Sequence, residues 1–125
     1  MRRFAFLFLI LAFVASCDVF KTITEPDKKA NVVMTQGPTY EDRANDFTYK
    51  GTVQNQGDAT AGFTRVIIYI RNSSSALLKQ AETNFVDVAL EPNETSAWEV
   101  KFSDENRTLR DSMDQAKTTY EIKWE

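Results

Sequence analysis

From residue 30 onward, apolar and polar residues alternate in short runs, and each run is closed by turn-forming residues. A period of two puts every second side chain on one face, the pattern of antiparallel strands with one side buried. Residues 31–35 predict a first strand that stops at Gly37-Pro38. Phe47, Tyr49, Gly51 and Val53 alternate with Thr48, Lys50, Thr52 and Gln54 in a second strand, and Asn55-Gln56-Gly57-Asp58 forms its turn. Residues 63–71 hold the densest apolar run and predict a central strand, with Val66, Ile68 and Ile70 facing one way and Ile67 and Tyr69 partly covering the other side. Asn72-Ser73-Ser74-Ser75 turns the chain, and a return strand begins at Leu77. Residues 85–90 predict a further strand, ended by Glu91-Pro92-Asn93-Glu94, and Trp98, Val100 and Phe102 alternate with Glu99 and Lys101 in the next.

The period changes once. Between Asp104 and Lys117, Leu109, Met113 and Ala116 recur at spacings of four and three, which predicts a short amphipathic helix capped by Ser103 or Asp104. Alternation returns with Tyr120, Ile122 and Trp124, a terminal strand. Many short strands with turn signals between them predict an all-β fold, an antiparallel β-sandwich with one short helix before the last strand. In that sandwich Trp98 and Trp124 are expected in the core.

The beginning of the chain follows a different rule. Arg2 and Arg3 precede an unbroken apolar run from Phe4 to Phe13, too short for the roughly 20 apolar residues that span about 30 Å of hydrocarbon. The run is a targeting segment. It ends in Val14-Ala15-Ser16-Cys17, which resembles the lipobox of bacterial lipoproteins. The resemblance implies removal of residues 1–16 and acylation of the Cys17 thiol, anchoring the protein to a membrane of the bacterial cell envelope. An ordinary secretory signal cleaved near Ser16 is the alternative, and it would leave a lone exposed thiol. Residues 17–29 then read as the lipidated N-terminus and a charged linker containing Pro26, and residues 30–125 as the sandwich domain.

Composition narrows the chemistry further. The 125 residues contain no His and one Cys, which excludes Ser-His and Cys-His catalysis, thiolate zinc sites and any intramolecular disulfide. The net charge of −3 becomes −5 when Arg2 and Arg3 leave with the leader, which disfavours nucleic acid, whose backbone is gripped by Lys and Arg. Two acidic groups, Glu41-Asp42 with Asp46 and Asp104-Glu105 with Asp111 and Asp114, lack the EF-hand spacing and read as solvated loop carboxylates. No catalytic residue, cofactor or metal ligand is expected.

Two stretches of the domain carry a second resemblance. Gly51-Thr52-Val53-Gln54-Asn55 is similar to the Gly-x-Val-x-Asn strand end of FxLYD-type domains, and Val66-Ile67-Ile68-Tyr69-Ile70 resembles the strand that names them. Residues 90–100, beginning Leu90-Glu91-Pro92-Asn93-Glu94, resemble their Leu-x-Pro-Gly-Glu turn. Ile70 stands where that motif has Asp, and Asn93 where Gly is usual, although Asn accepts the left-handed turn conformation. The resemblance implies an immunoglobulin-like module without catalysis, acting as an interaction or accessory domain for another envelope protein. The alternative is polysaccharide recognition through exposed Tyr40, Tyr69 or Trp124.

Overall fold

The computed structural model describes residues 27–83 and 86–125. The leader and Cys17 lie outside the described residues, as does Phe85 of the predicted fifth strand. Seven strands follow in order: β1 (Val32–Asp42), β2 (Asp46–Asn55), β3 (Ala61–Arg71), β4 (Leu77–Glu82), β5 (Asp87–Leu90), β6 (Thr95–Ser103) and β7 (Thr119–Lys123). One helical turn, α1 (Thr108–Ser112), and a 3₁₀ turn at Gln115–Lys117 separate β6 from β7.

The strands form an antiparallel β-sandwich. One sheet has the order β1-β2-β6. In the other, β3 is central: β4 pairs with residues 67–71 of β3, β5 with residues 61–64, and β7 with residues 65–69. Because β7 overlaps the β4 pairing, β4 and β5 lie end to end along the opposite side of β3. Alternation on the two inner faces supplies the core. Phe47, Tyr49 and Val53 of β2 and Trp98, Val100 and Phe102 of β6 meet Val66, Ile68 and Ile70 of β3, all buried. Phe47 and Phe102, directly opposite in register, stack with centroids 5.0 Å apart.

Several expectations are corrected. The first strand does not stop at Gly37-Pro38 but runs through it, with a cis peptide bond and register shifts between Met34 and Thr39. An edge strand can absorb both, since a proline there removes no ladder bond that a neighbour needs. The amphipathic segment is shorter than its spacing suggested. Leu109 and Met113 are half-buried while Ala116 is exposed. Residue Arg107, at φ 58°, occupies the cap position without a capping side chain, although Asp104 accepts from the backbone N–H groups of Leu109 and Arg110. Trp98 is core, its indole N–H donating to the Met34 thioether at 3.2 Å. Trp124 is not, at 37% exposure, because it lies beyond β7 at the rim of the sandwich. Ile67, expected to be partly covered on the outer face, is 5% exposed.

Two motif residues explain local geometry. A Cβ on Gly51 would sit 2.3 Å from the Gln36 carbonyl and 3.0 Å from the Trp98 indole, so only glycine lets the irregular β1 cross there. Asn55 is fully buried and binds three separate segments through four side-chain hydrogen bonds. Its Oδ1 accepts from the N–H of Asn31 at 3.1 Å and of Gly57 at 3.0 Å, and its Nδ2 donates to the carbonyls of Ala59 at 2.7 Å and Leu90 at 2.9 Å. That amide ties the entry of the chain to the turn after β2 and to the end of β5.

Candidate functional site

Of the acidic residues expected to be solvated, Asp42, Glu105 and Asp111 are exposed and Asp104 is not. Asp104 is buried, and so is Arg110, whose Nε donates to Asp104 Oδ2 at 3.0 Å. The same guanidinium reaches Asp42 Oδ1 at 2.5 Å and donates to the carbonyls of Arg43, Ala44, Asp46 and Asp104. A planar fork with five donors is the side chain that can satisfy so many acceptors at once. Burial pushes the Asp104 carboxyl up, but the backbone N–H groups of Arg110 and Leu109 and the guanidinium outweigh it and hold it below the usual carboxylate range. Glu41 pairs with Lys50 at 2.7 Å and with Arg43 at 3.2 Å, Asp46 pairs with Lys101 at 3.1 Å, and Asp114 accepts from the Ala116 N–H at 2.9 Å. Through Arg110 and Arg107, Asp42 and Asp104 hold the hairpin between β1 and β2 to α1, a structural role. Among the described residues no group of three acidic side chains is placed to hold a metal ion.

The three aromatics singled out for glycan stacking are not brought together. Tyr40 packs on Phe47 and Tyr49, with centroids 5.7 and 5.5 Å away. Tyr69 donates its hydroxyl to Glu121 at 2.7 Å and lies beneath the Arg71 guanidinium at 5.9 Å. Its register partner on β7 is Thr119, which leaves Trp124 five residues further on, about 17 Å at the rise of a strand.

Trp124 instead meets a residue the sequence reading placed within an ordinary strand. Gly62 and Glu125 exchange both backbone hydrogen bonds, each at 2.8 Å, while Arg65 pairs with Lys123. Phe63 and Thr64 therefore oppose Trp124 alone, a β-bulge. Phe63 takes φ 45°, a left-handed conformation that costs a bulky residue on the order of 1–3 kcal/mol. Thr64 stays buried, and Phe63 is turned to the rim with 42% of its surface exposed. Phe63 and Trp124 line one groove of about 330 Å³ with Arg65, Ile122 and Lys123. Val88, 59% exposed, follows on β5, between the residues that pair with Gly62 and Thr64. The one signal in the sequence is Gly62, since a glycine inside a strand pattern marks a bulge. A second depression of about 470 Å³ lies over Gly51, floored by Trp98 and flanked by Lys50 and Glu99.

At the far end of β3, Leu77 and Leu78 are exposed on β4, and among the described strands β4 pairs with β3 alone. Nearly every residue of β4 is exposed.

No protein-family model matches the chain, and no curated protein matches it. Among solved structures it is similar to a β-glucosidase from Kluyveromyces marxianus, both selenomethionine-labelled and in complex with glucose, at 14% identity and a TM-score of 0.41 in each case. The match covers 78% of this chain and 14% or 15% of the glucosidase, so the chain spans about one seventh of that protein's length.

Proposed function

We propose that this chain is a lipid-anchored protein of the bacterial cell envelope, acylated at Cys17, whose immunoglobulin-like sandwich acts as a non-catalytic interaction module for another envelope protein. The observation that carries the interaction reading is the edge strand β4, which leaves one side of its backbone unpaired among the described strands and presents Leu77 and Leu78 to solvent. An exposed edge is a template for β-strand addition, in which main-chain hydrogen bonds give affinity and flanking side chains give selectivity. The described carboxylates that could have supported other chemistry are largely engaged by Arg110, Lys50, Lys101 and backbone N–H groups.

The anchor and the module are tested separately. Replacing Cys17 with Ala abolishes acyl labelling and releases the domain from membranes. A variant that stays membrane-bound and normally processed sinks the anchor. For the module, crosslinking in intact cells recovers a partner that is lost when Leu77→Glu and Leu78→Lys are combined. Recovering the chain alone, reproducibly, sinks the interaction reading.

A further inference from the structure

We infer that the end of the sandwich bearing Phe63 and Trp124 docks on the surface of the lipid bilayer to which the chain is tethered, with both rings seated at the headgroup level. This deepens the anchored reading and rests on it. The Lys29 N–H donates to Asp58 Oδ1 at 2.6 Å and the Asp58 N–H donates to the Lys29 carbonyl at 3.0 Å, so the tether arrives at the turn after β2. Gly62, bonded to Glu125, is only four residues beyond Asp58, at most about 14 Å of chain. The aromatic groove and the root of the tether therefore share one end of the sandwich.

Asp27 is ten positions beyond Cys17, a reach of at most about 36 Å. That tether keeps the Phe63 end near the headgroups, whereas Arg71, at the other end of β3, lies eight residues beyond Phe63, about 27 Å. Of the exposed large apolar residues, Phe63, Val88 and Trp124 gather at the near end. Tryptophan favours the membrane interface because its ring is apolar and its N–H is not.

Phe63 has the outward parity of Arg65 and Tyr69, and the bulge, with Phe63 at φ 45°, sets its ring at the rim in the groove it lines with Trp124. Two rings bind a bilayer weakly by themselves. Tethering makes that association intramolecular and raises the effective concentration, so a weak affinity suffices. The cations at the groove are balanced: Arg65 lies 3.6 Å from Glu82 and Lys123 lies 3.9 Å from Glu121. Docking is therefore carried by the rings and requires no anionic lipid.

The test uses the full-length acylated chain reconstituted in phosphatidylcholine vesicles whose acyl chains are brominated near the glycerol. Trp98, buried beneath Gly51, is the only other tryptophan. Wild-type emission is quenched and, in unbrominated vesicles, shifted to the blue, while the Trp124→Tyr variant shows neither change, and adding anionic lipid or salt alters nothing. Phe63→Asn, which tolerates the left-handed conformation, still unfolds cooperatively on heating and loses much of the quenching. Co-flotation with vesicles but unquenched Trp124 overturns docking and leaves the anchor standing. Failure to co-float overturns the anchor, and docking with it. Quenching of Trp98 in the Trp124→Tyr variant, or a Trp124 response to soluble cell-wall polysaccharide in place of lipid, also overturns the proposal.

Discussion

Arg110 and Asp104 are joined by three hydrogen bonds: the Arg110 guanidinium Nε and the Arg110 backbone N–H donate to the same carboxylate oxygen, at 3.0 and 2.9 Å, and Nη2 donates to the Asp104 carbonyl at 2.6 Å. The carboxylate thus closes the first turn of α1 and neutralises a buried cation in one arrangement. Their side chains are 3% and 6% exposed, so water cannot replace either partner. Losing one partner of such a pair leaves an unpaired buried charge, a cost of roughly 3–5 kcal/mol. Arg110→Ala is expected to fall in that range by urea denaturation, because the carbonyls of Ala44, Asp46 and Asp104 each lose a donor too. Arg110→Lys restores the charge but not the fork, and recovers only part of the loss. A cost below about 1 kcal/mol for the Ala variant would refute the assignment of this node.

The same pair sets an acid limit. The carboxyl of Asp42, through its bond to Arg110 and against the opposing effect of burial, and that of Asp104 are both held below the ordinary range in the folded protein. A depressed folded pKa means that the unfolded chain takes up protons first. The stabilisation is complete above the unfolded carboxylate value and is lost as pH falls through the folded one. Unfolding midpoints measured between pH 7 and pH 2 are expected to fall at the acid end, with a shallower slope in Asp104→Asn. Equal slopes in the two proteins would show that this carboxylate does not govern the acid limit.

Asn55 makes a sharper charge test. Its Nδ2 faces the carbonyl oxygens of Ala59 and Leu90, so Asn55→Asp sets an oxygen against two acceptors inside the core. Two lost donors and a buried charge cost about 3 kcal/mol or more at neutral pH. The introduced carboxyl has its folded pKa raised by burial and by those carbonyls. Its destabilisation is therefore smallest below the unfolded value and grows as pH rises through the folded one. A variant whose deficit is the same at pH 4 and pH 7 contradicts the buried geometry.

Glycine positions differ in what they tolerate. Gly51→Ala drives a methyl toward the Gln36 carbonyl and the Trp98 ring and is expected to cost on the order of 1–3 kcal/mol, as overpacked sites do. Gly62→Ala meets nothing nearer than the Glu125 carbonyl at 3.4 Å. It is expected to be near neutral, and thermal unfolding of the two variants side by side decides the matter.

Strand alternation in the sequence determined the all-β class, the buried faces of β2, β3 and β6, and the change of period that produces α1, because burying one face of a strand requires a period of two and nothing else. A separate short-range motif singled out Cys17, whose proposed acylation lies outside the described residues. What alternation could not decide was anything arising where strands meet. Phe63 has the outward parity of Arg65 and Tyr69, but the bulge that sets it beside Trp124 depends on Gly62 pairing with Glu125, more than sixty residues away. Trp98 and Trp124 carry the same local signal, and only the position of each strand end makes one core and the other surface. Asp104 and Arg110 resemble solvated charges until folding brings Asp42 and three loop carbonyls from the β1–β2 hairpin around the guanidinium. Local patterning governs which face is buried; partner identity and exposure at the ends are set by long-range register, which the tertiary structure alone decides.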